Sequence, residues 1–152
     1  MARNTPGAEE DVHTYGADYM KIERGYNREK VVRIAKDCGA KSVRDTISYL
    51  DLAAYRSRDK FVCEILDDVA FFAGMMCKKH FRLYEMAVVE SAQRKGYGRA
   101  MILRMRQLCQ KSGAVKITLR TSKNETAIEF YKKLGGKIAG EKENDYEVEF
   151  TV

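Results

Sequence analysis

Two glycines one residue apart, set among basic residues, are the part of this 152-residue chain whose types and spacing could do chemistry. The run is Gln93-Arg94-Lys95-Gly96-Tyr97-Gly98-Arg99, with an apolar strand pattern leading in and a helical pattern leading out. The first turn of a helix leaves backbone N–H groups without intrahelical acceptors and carries the positive end of the helix dipole, so it attracts anions. Glycine lets the backbone approach such an anion with no Cβ in the way. Arg94, Lys95 and Arg99 add charge around it. Diphosphate binding is the chemistry this run suggests. Two familiar phosphate loops do not fit. The run from Gly96 reads Gly-Tyr-Gly-Arg-Ala-Met, without a third glycine, and no Gly-Lys-Ser or Gly-Lys-Thr occurs. The bland alternative is an ordinary strand-loop-helix connection with solvated basic residues.

The elements that must position this loop follow from hydrophobic period. Residues 20–24 read as a short strand, with Met20, Ile22 and Arg24 on one face. Asn27 can cap a helix to about Asp37, carrying Val31, Ile34 and Ala35, with Gly39 as its stop. Ser42 can cap a second helix, in which Val43, Ile47, Leu50 and Ala54 share one side. Residues 61–66 and 69–77 are strands joined at Asp67-Asp68, and 81–89 is a third. After Gly98, Met101, Ile102, Met105, Leu108 and Cys109 form a helical stripe, with Arg99, Arg104, Arg106 and Lys111 largely off it and Gly113 ending it. Val115, Ile117 and Leu119 alternate as a strand. Asn124 opens a helix with Ala127, Ile128, Tyr131 and Leu134 on one face, closed by Gly135-Gly136. Two terminal strands follow. The expected fold class is α/β (α+β): a mixed, mostly antiparallel twisted sheet of six to seven strands with about four helices. Residues 1–19 show no periodic apolar pattern and read as a mobile N-terminal extension to a single domain over 20–152.

Charge and cysteine usage narrow the class. Residues 78–111 hold nine Lys and Arg against Glu85 and Glu90, so the whole net charge of +6 lies in one stretch. That stretch suits a phosphate-bearing ligand, nucleic acid, or plain solvation. The two histidines, and four cysteines without C-x-x-C spacing, leave no metal-binding pattern. A tight Asp67-Asp68 turn would set Cys63 opposite Phe72 rather than Cys77, which argues against a disulfide there. Free thiols, with no apolar signal segment and no membrane-length run, suggest a cytoplasmic protein.

Gln93-x-x-Gly96-x-Gly98 after an apolar strand resembles the acetyl-CoA signature of the GCN5-related N-acetyltransferases (GNAT family). Asn124-x-x-Ala127-x-x-Phe130-Tyr131-x-x-Leu134-Gly135 is similar to the family's second signature, beside the thioester. The resemblance covers residues 20–152 and is strongest over 84–136. It implies an acetyl-CoA-dependent N-acetyltransferase acting on a primary amine of a small molecule, peptide or protein. The loop residues Gln93, Arg94, Lys95, Gly96, Tyr97, Gly98 and Arg99 would hold the pyrophosphate. The backbone from Met86 to Val88 would pair with the pantetheine arm, and the N–H near Val88 would polarise the thioester carbonyl. Asn124 would contact the cofactor, cap its helix, or both. Tyr131 matches the position that protonates the departing thiolate, since a phenol keeps its proton at neutral pH; its bland reading is core packing.

The general base is less defined. Glu85 is the nearest carboxylate in sequence. It has the opposite strand parity from the glutamate of histone-type relatives, where Arg82 falls, so a water relay stays open beside it. Two other classes compete. The basic stretch could bind nucleic acid, although it lacks interleaved aromatic platforms and a recognition-helix signature. The domain could also bind acetyl-CoA without turning it over, against which Gly96, Gly98 and Tyr131 count. Homodimers are common in the family, and nothing in the sequence requires one.

Overall fold

The computed structural model describes the backbone of residues 9–15 and 18–152, and side chains from Met20 onward. Its elements run β1 (Glu9–Tyr15), β2 (Asp18–Arg24), α1 (Arg28–Asp37), α2 (Lys41–Asp45), α3 (Ile47–Arg56), β3 (Phe61–Leu66), β4 (Ala70–Met76), β5 (His80–Val88), α4 (Tyr97–Ser112), β6 (Lys116–Ser122), α5 (Glu125–Lys133), β7 (Lys137–Glu141) and β8 (Asp145–Thr151). The eight strands form one sheet in the order β1-β2-β3-β4-β5-β6-β8-β7. Every pair is antiparallel except β5 with β6. Without β1 this is the mixed, mostly antiparallel sheet of seven strands expected from sequence. The strand at 9–15 lies inside the segment read as an extension; its backbone pairs with all of β2. The remainder of that segment's expectation falls outside the described residues.

Local signals place the helices. Asn27 caps α1 through its side chain, which accepts from the Lys30 amide at 3.2 Å. The helix expected from Ser42 is two pieces. Thr46 breaks it by turning both its amide (3.2 Å) and its hydroxyl (2.7 Å) onto the Val43 carbonyl. The preceding cap is Ala40, with no side-chain bond.

The sheet separates two cores. Side chains of β4 alternate, so Phe72 joins Phe81, Met101, Met105 and Phe150 beneath α4, while Phe71 joins Ile34, Leu50 and Ile65 beneath α1 and α3. Fully burying each such side chain contributes about 1.5–3 kcal/mol. Asp67 and Asp68 both have positive φ, 51° and 59°. The hairpin they close sets Cys63 opposite Ala73, one residue beyond the register of a tight turn. All four cysteines are free thiols.

Arg104 departs from the expected outward-facing basic face of α4. Its guanidinium is buried and donates twice to Glu64, at 2.8 and 2.7 Å. A two-pronged arginine–carboxylate pair satisfies both charges where water cannot reach.

Candidate active site

β5 and β6 are paired only from His80 to Arg82 and Lys116 to Thr118. Beyond that point β6 continues on β8 as far as Ser122, and the two strands part. The opening between them is bordered by the second half of β5, the first turn of α4 and the apolar face of α5.

The glycine loop stands at one end. Arg94 and Gly96 both sit in the left-handed region, with φ 65° and 91°. Left-handed backbone costs a non-glycine residue about 1–2 kcal/mol, and alternating conformations of this kind turn neighbouring amides inward to form an anion-binding concavity. Gly96 is the N-cap of α4, with no side chain filling the cap. The Ala100 amide makes the first helical bond, to the Gly96 carbonyl at 3.0 Å. The Gly98 and Arg99 amides therefore precede the helical ladder. Arg94, Lys95 and Arg99 are exposed beside them. A Cβ at Gly96 would meet nothing within 4 Å, whereas one at Gly98 would touch Phe130 of α5 and Leu134, the residue that caps it, at 3.5 Å. Gly96 faces the open side, and Gly98 brings α4 against α5. The backbone and charges in this cradle fit a diphosphate.

Two loop residues expected to touch cofactor have other partners. Gln93 donates its amide to the carbonyls of Cys38 (3.1 Å) and Val88 (3.0 Å), which ties the loop to the end of α1 and the end of β5. Tyr97 turns inward and donates its hydroxyl to Asp67 of the β3–β4 turn at 2.7 Å. Both position the loop.

Along β5, the Val89 amide donates to Val69 at 2.9 Å. Strand alternation therefore aims the Val88 amide the other way, into the opening. The Met86 amide on that side is capped at 3.1 Å by the carboxylate of Glu85. Asn124 caps α5, accepting from the Thr126 (2.8 Å) and Ala127 (3.3 Å) amides. Among the described residues α5 has no fully buried side chain, and Phe130 is partly bare, so its apolar face borders the opening without filling it. Gly135 and Gly136 end this helix, and a Cβ at Gly136 would lie 2.9 Å from Phe150 and Val148. Only glycine allows that approach.

Glu85 owes its place to a β-bulge. Ala73 faces Glu85 while Gly74 faces Leu83, so Tyr84 is an extra residue in β5. Gly74 makes this possible, since a Cβ there would stand 2.3 Å from the Arg82 carbonyl. Core contacts record the switch: Phe81 and Leu83 point to the α4 side, and so does Met86. Strict alternation, on which the parity objection to Glu85 rested, does not hold through this stretch. The Glu85 carboxyl touches the Thr46 hydroxyl at 3.5 Å and faces no cation among the described residues. Burial pushes it up to about 7, against smaller opposing contributions from the Met86 amide and Thr46. Burial first, and the Glu85 charge second, push the Tyr131 phenol well above its ordinary range. The two groups thus share one electrostatic environment. Arg82, by contrast, is paired with Glu147 and Thr118.

Thr46, Gly74 and Tyr84 were not singled out from sequence. A glycine inside an apolar strand was the signal available for the bulge.

Residues 57–135, just over half of the chain, match the Acetyltransferase (GNAT) domain family. The chain belongs to the GNAT acetyltransferases. Acetyl-CoA is accordingly its cosubstrate. The GNAT fold extends over nearly the whole chain. The PaiA N-acetyltransferase of Thermoplasma acidophilum, solved in complex with coenzyme A, superposes with TM-score 0.67 at 15% identity, covering 86% of this chain and 99% of that one. The ribosomal-protein-S18-alanine N-acetyltransferase of Escherichia coli gives 0.66 at 17% identity, over 88% and 94%. The GNAT domain of S. lividans PAT gives 0.71 at 9% identity, over 99% and 100%. Among curated proteins, none matches the chain. Among the described residues no helix is long and apolar enough to cross a membrane, and no group of acidic, histidine and cysteine side chains is arranged for a metal.

Proposed function

We propose that this GNAT domain, over residues 20–152, transfers acetyl from acetyl-CoA to a primary amine by direct attack, with Glu85 as general base and Tyr131 as general acid. The observation that supports this reading is the parting of β5 and β6 beside a bulge that leaves Glu85 without a cation among the described residues, near enough to Tyr131 for its charge to act on the phenol. When bound, acetyl-CoA supplies an activated acyl group on a good leaving thiol.

The chain's own residues do the rest. The loop amides with Arg94, Lys95 and Arg99 take the diphosphate, and Gly96 leaves room for it. Asn124 has an amide group left over from capping α5 to offer the cofactor. The Val88 amide is positioned to stabilise charge on a carbonyl oxygen in the opening. An amine with a pKa of about 10 arrives as an ammonium and must lose a proton before it attacks. A carboxyl titrating near 7 is half ionised at neutral pH and suits that task. Burial keeps the Tyr131 proton in place for the leaving sulfur. Four free thiols favour a reducing, cytoplasmic setting.

Arg82 and Arg104, two of the cations that made nucleic acid a competing partner, are spent on Glu147 and Glu64. Calorimetric titration separates the readings. Acetyl-CoA should bind, and a hundredfold excess over its Kd should stabilise the protein by about 2.7 kcal/mol. Stabilisation by RNA or DNA with none by acetyl-CoA would defeat the proposal. Binding without thiol release across an amine panel would favour a non-catalytic module.

A further inference from the structure

Beside Glu85, on the side away from α5, stands an aromatic wall that the reaction chemistry does not use. Thr46 and Tyr49 lie three residues apart at the start of α3, so they share a helix face. Thr46 reaches Glu85, and Tyr49 stands edge-on to Tyr84, the residue before it, with ring centroids 5.0 Å apart at 81°. Burial, followed by the neighbouring Tyr49, pushes the Tyr84 phenol up to about 12. Yet Tyr49 is 54% exposed, and Leu52 and Tyr55 continue the line along α3 at 44% and 74%. The same helix buries Ile47 and Leu50 inward. A bare Tyr49 beside Tyr84 and the half-buried Glu85, extended along α3 by Leu52 and Tyr55, forms the kind of surface an apolar ligand covers.

Charge narrows the ligand further. Residues 41–58 carry Lys41, Arg44, Arg56 and Arg58 against Asp45 and Asp51. Asp51 is already engaged by Arg28 at 3.0 Å and by the Tyr26 hydroxyl at 2.7 Å. A substrate bearing a second ammonium would meet like charge here, which selects against polyamines.

We propose that the acceptor is a small primary amine bearing an aromatic or branched apolar group, which Tyr49 and Tyr84 hold while the ammonium faces Glu85. The proposal rests on the acetyl-transfer reading and names its substrate class. The amine nitrogen bonds to the acetyl carbon as the carbon–sulfur bond breaks. Of the two protons the nitrogen loses, one passes to solvent through Glu85; Tyr131 protonates the departing thiolate and is itself reprotonated, through water, by the other. The products are an N-acetyl amide and free coenzyme A.

The test is initial-rate thiol release with phenethylamine, isoamylamine, spermidine and lysine amide at saturating acetyl-CoA. The first two should exceed the others in kcat/KM by about tenfold or more. Tyr49→Ala should remove that advantage through KM, and Tyr49→Phe should keep it. Calorimetry should show acetyl-CoA affinity unchanged in both variants. Equal rates, preference for spermidine or lysine amide, no turnover of any of the four, or an advantage that survives Tyr49→Ala would each overturn the proposal. With acetyl-CoA still binding, those results leave the cosubstrate reading standing; absence of acetyl-CoA binding defeats that reading first.

Discussion

Glu64 on β3 and Glu85 on β5 are one residue type in one sheet, separated only by β4, and they are handled in opposite ways. Glu64 is 2% exposed, gripped by both arms of Arg104, with Arg24 3.7 Å away. Glu85 has a backbone amide and a threonine hydroxyl for company, and no cation among the described residues. A buried carboxylate with a two-pronged partner has both oxygens engaged and works as structure. One that is desolvated without a partner titrates near neutrality and can pass a proton. On the proposed reading, what distinguishes a tether from a base in this fold is therefore the partner, and the partner is chosen by strand geometry.

Breaking the tether should have the largest effect. Arg104→Ala leaves buried Glu64 with only the half-exposed Arg24, 3.7 Å away, and should cost up to about 3–5 kcal/mol in urea denaturation. The double replacement Glu64→Leu with Arg104→Met should recover most of it. A loss under 1 kcal/mol in the single variant would mean that the Glu64–Arg104 pair is not a structural tether.

Removing the unpaired carboxylate should do the reverse. Glu85→Gln should lower kcat by about 10²–10³ and leave the protein folded. The sign of its stability change follows from the raised pKa. In the native state Glu85 binds its proton more tightly than in the unfolded chain, so its contribution to stability is full below about pH 4.5 and is lost as pH rises through about 7. Glu85→Gln should abolish that loss, gaining on the wild type at pH 8 relative to pH 4. Melting curves at the two pH values check it.

Gly74→Ala sharpens the comparison, because it attacks the device that sets the two carboxylates apart. The added Cβ has 2.3 Å where it needs over 3. Overpacking of this kind should cost about 1–3 kcal/mol and should displace Glu85, lowering activity more than binding of acetyl-CoA. Equal losses in both would place the bulge outside catalysis.

The smallest effect should come from Tyr131→Phe, about tenfold or less in kcat, since alignment of the reactants supplies much of the acceleration. Loss of acetyl-CoA affinity without loss of kcat would make Tyr131 a wall of the groove alone.

What could be read from sequence was local. Asn27, Asn124, Gly113 and Gly135 mark helix ends because a cap is decided within a few residues. The glycine loop was readable for the same reason. The bulge at Tyr84 was not, since it depends on Gly74 in a neighbouring strand, and parity counted along β5 alone sets Glu85 on the other face. Arg104 was misplaced for a similar reason: a helical stripe shows which residues are apolar, but not that a carboxylate forty residues earlier waits beneath it. The break at Thr46 was also missed, although its cause is local, because a hydroxyl competing for a carbonyl leaves hydrophobic period unchanged.

The pH dependence of kcat/KM for acetyl transfer, measured on wild type and Glu85→Gln with one amine, tests the account most directly. It predicts that the wild-type rate climbs with deprotonation of a group near pH 7 and that this limb is missing from the variant. An identical limb in both proteins would mean that the unpaired carboxylate in the bulge is not the base.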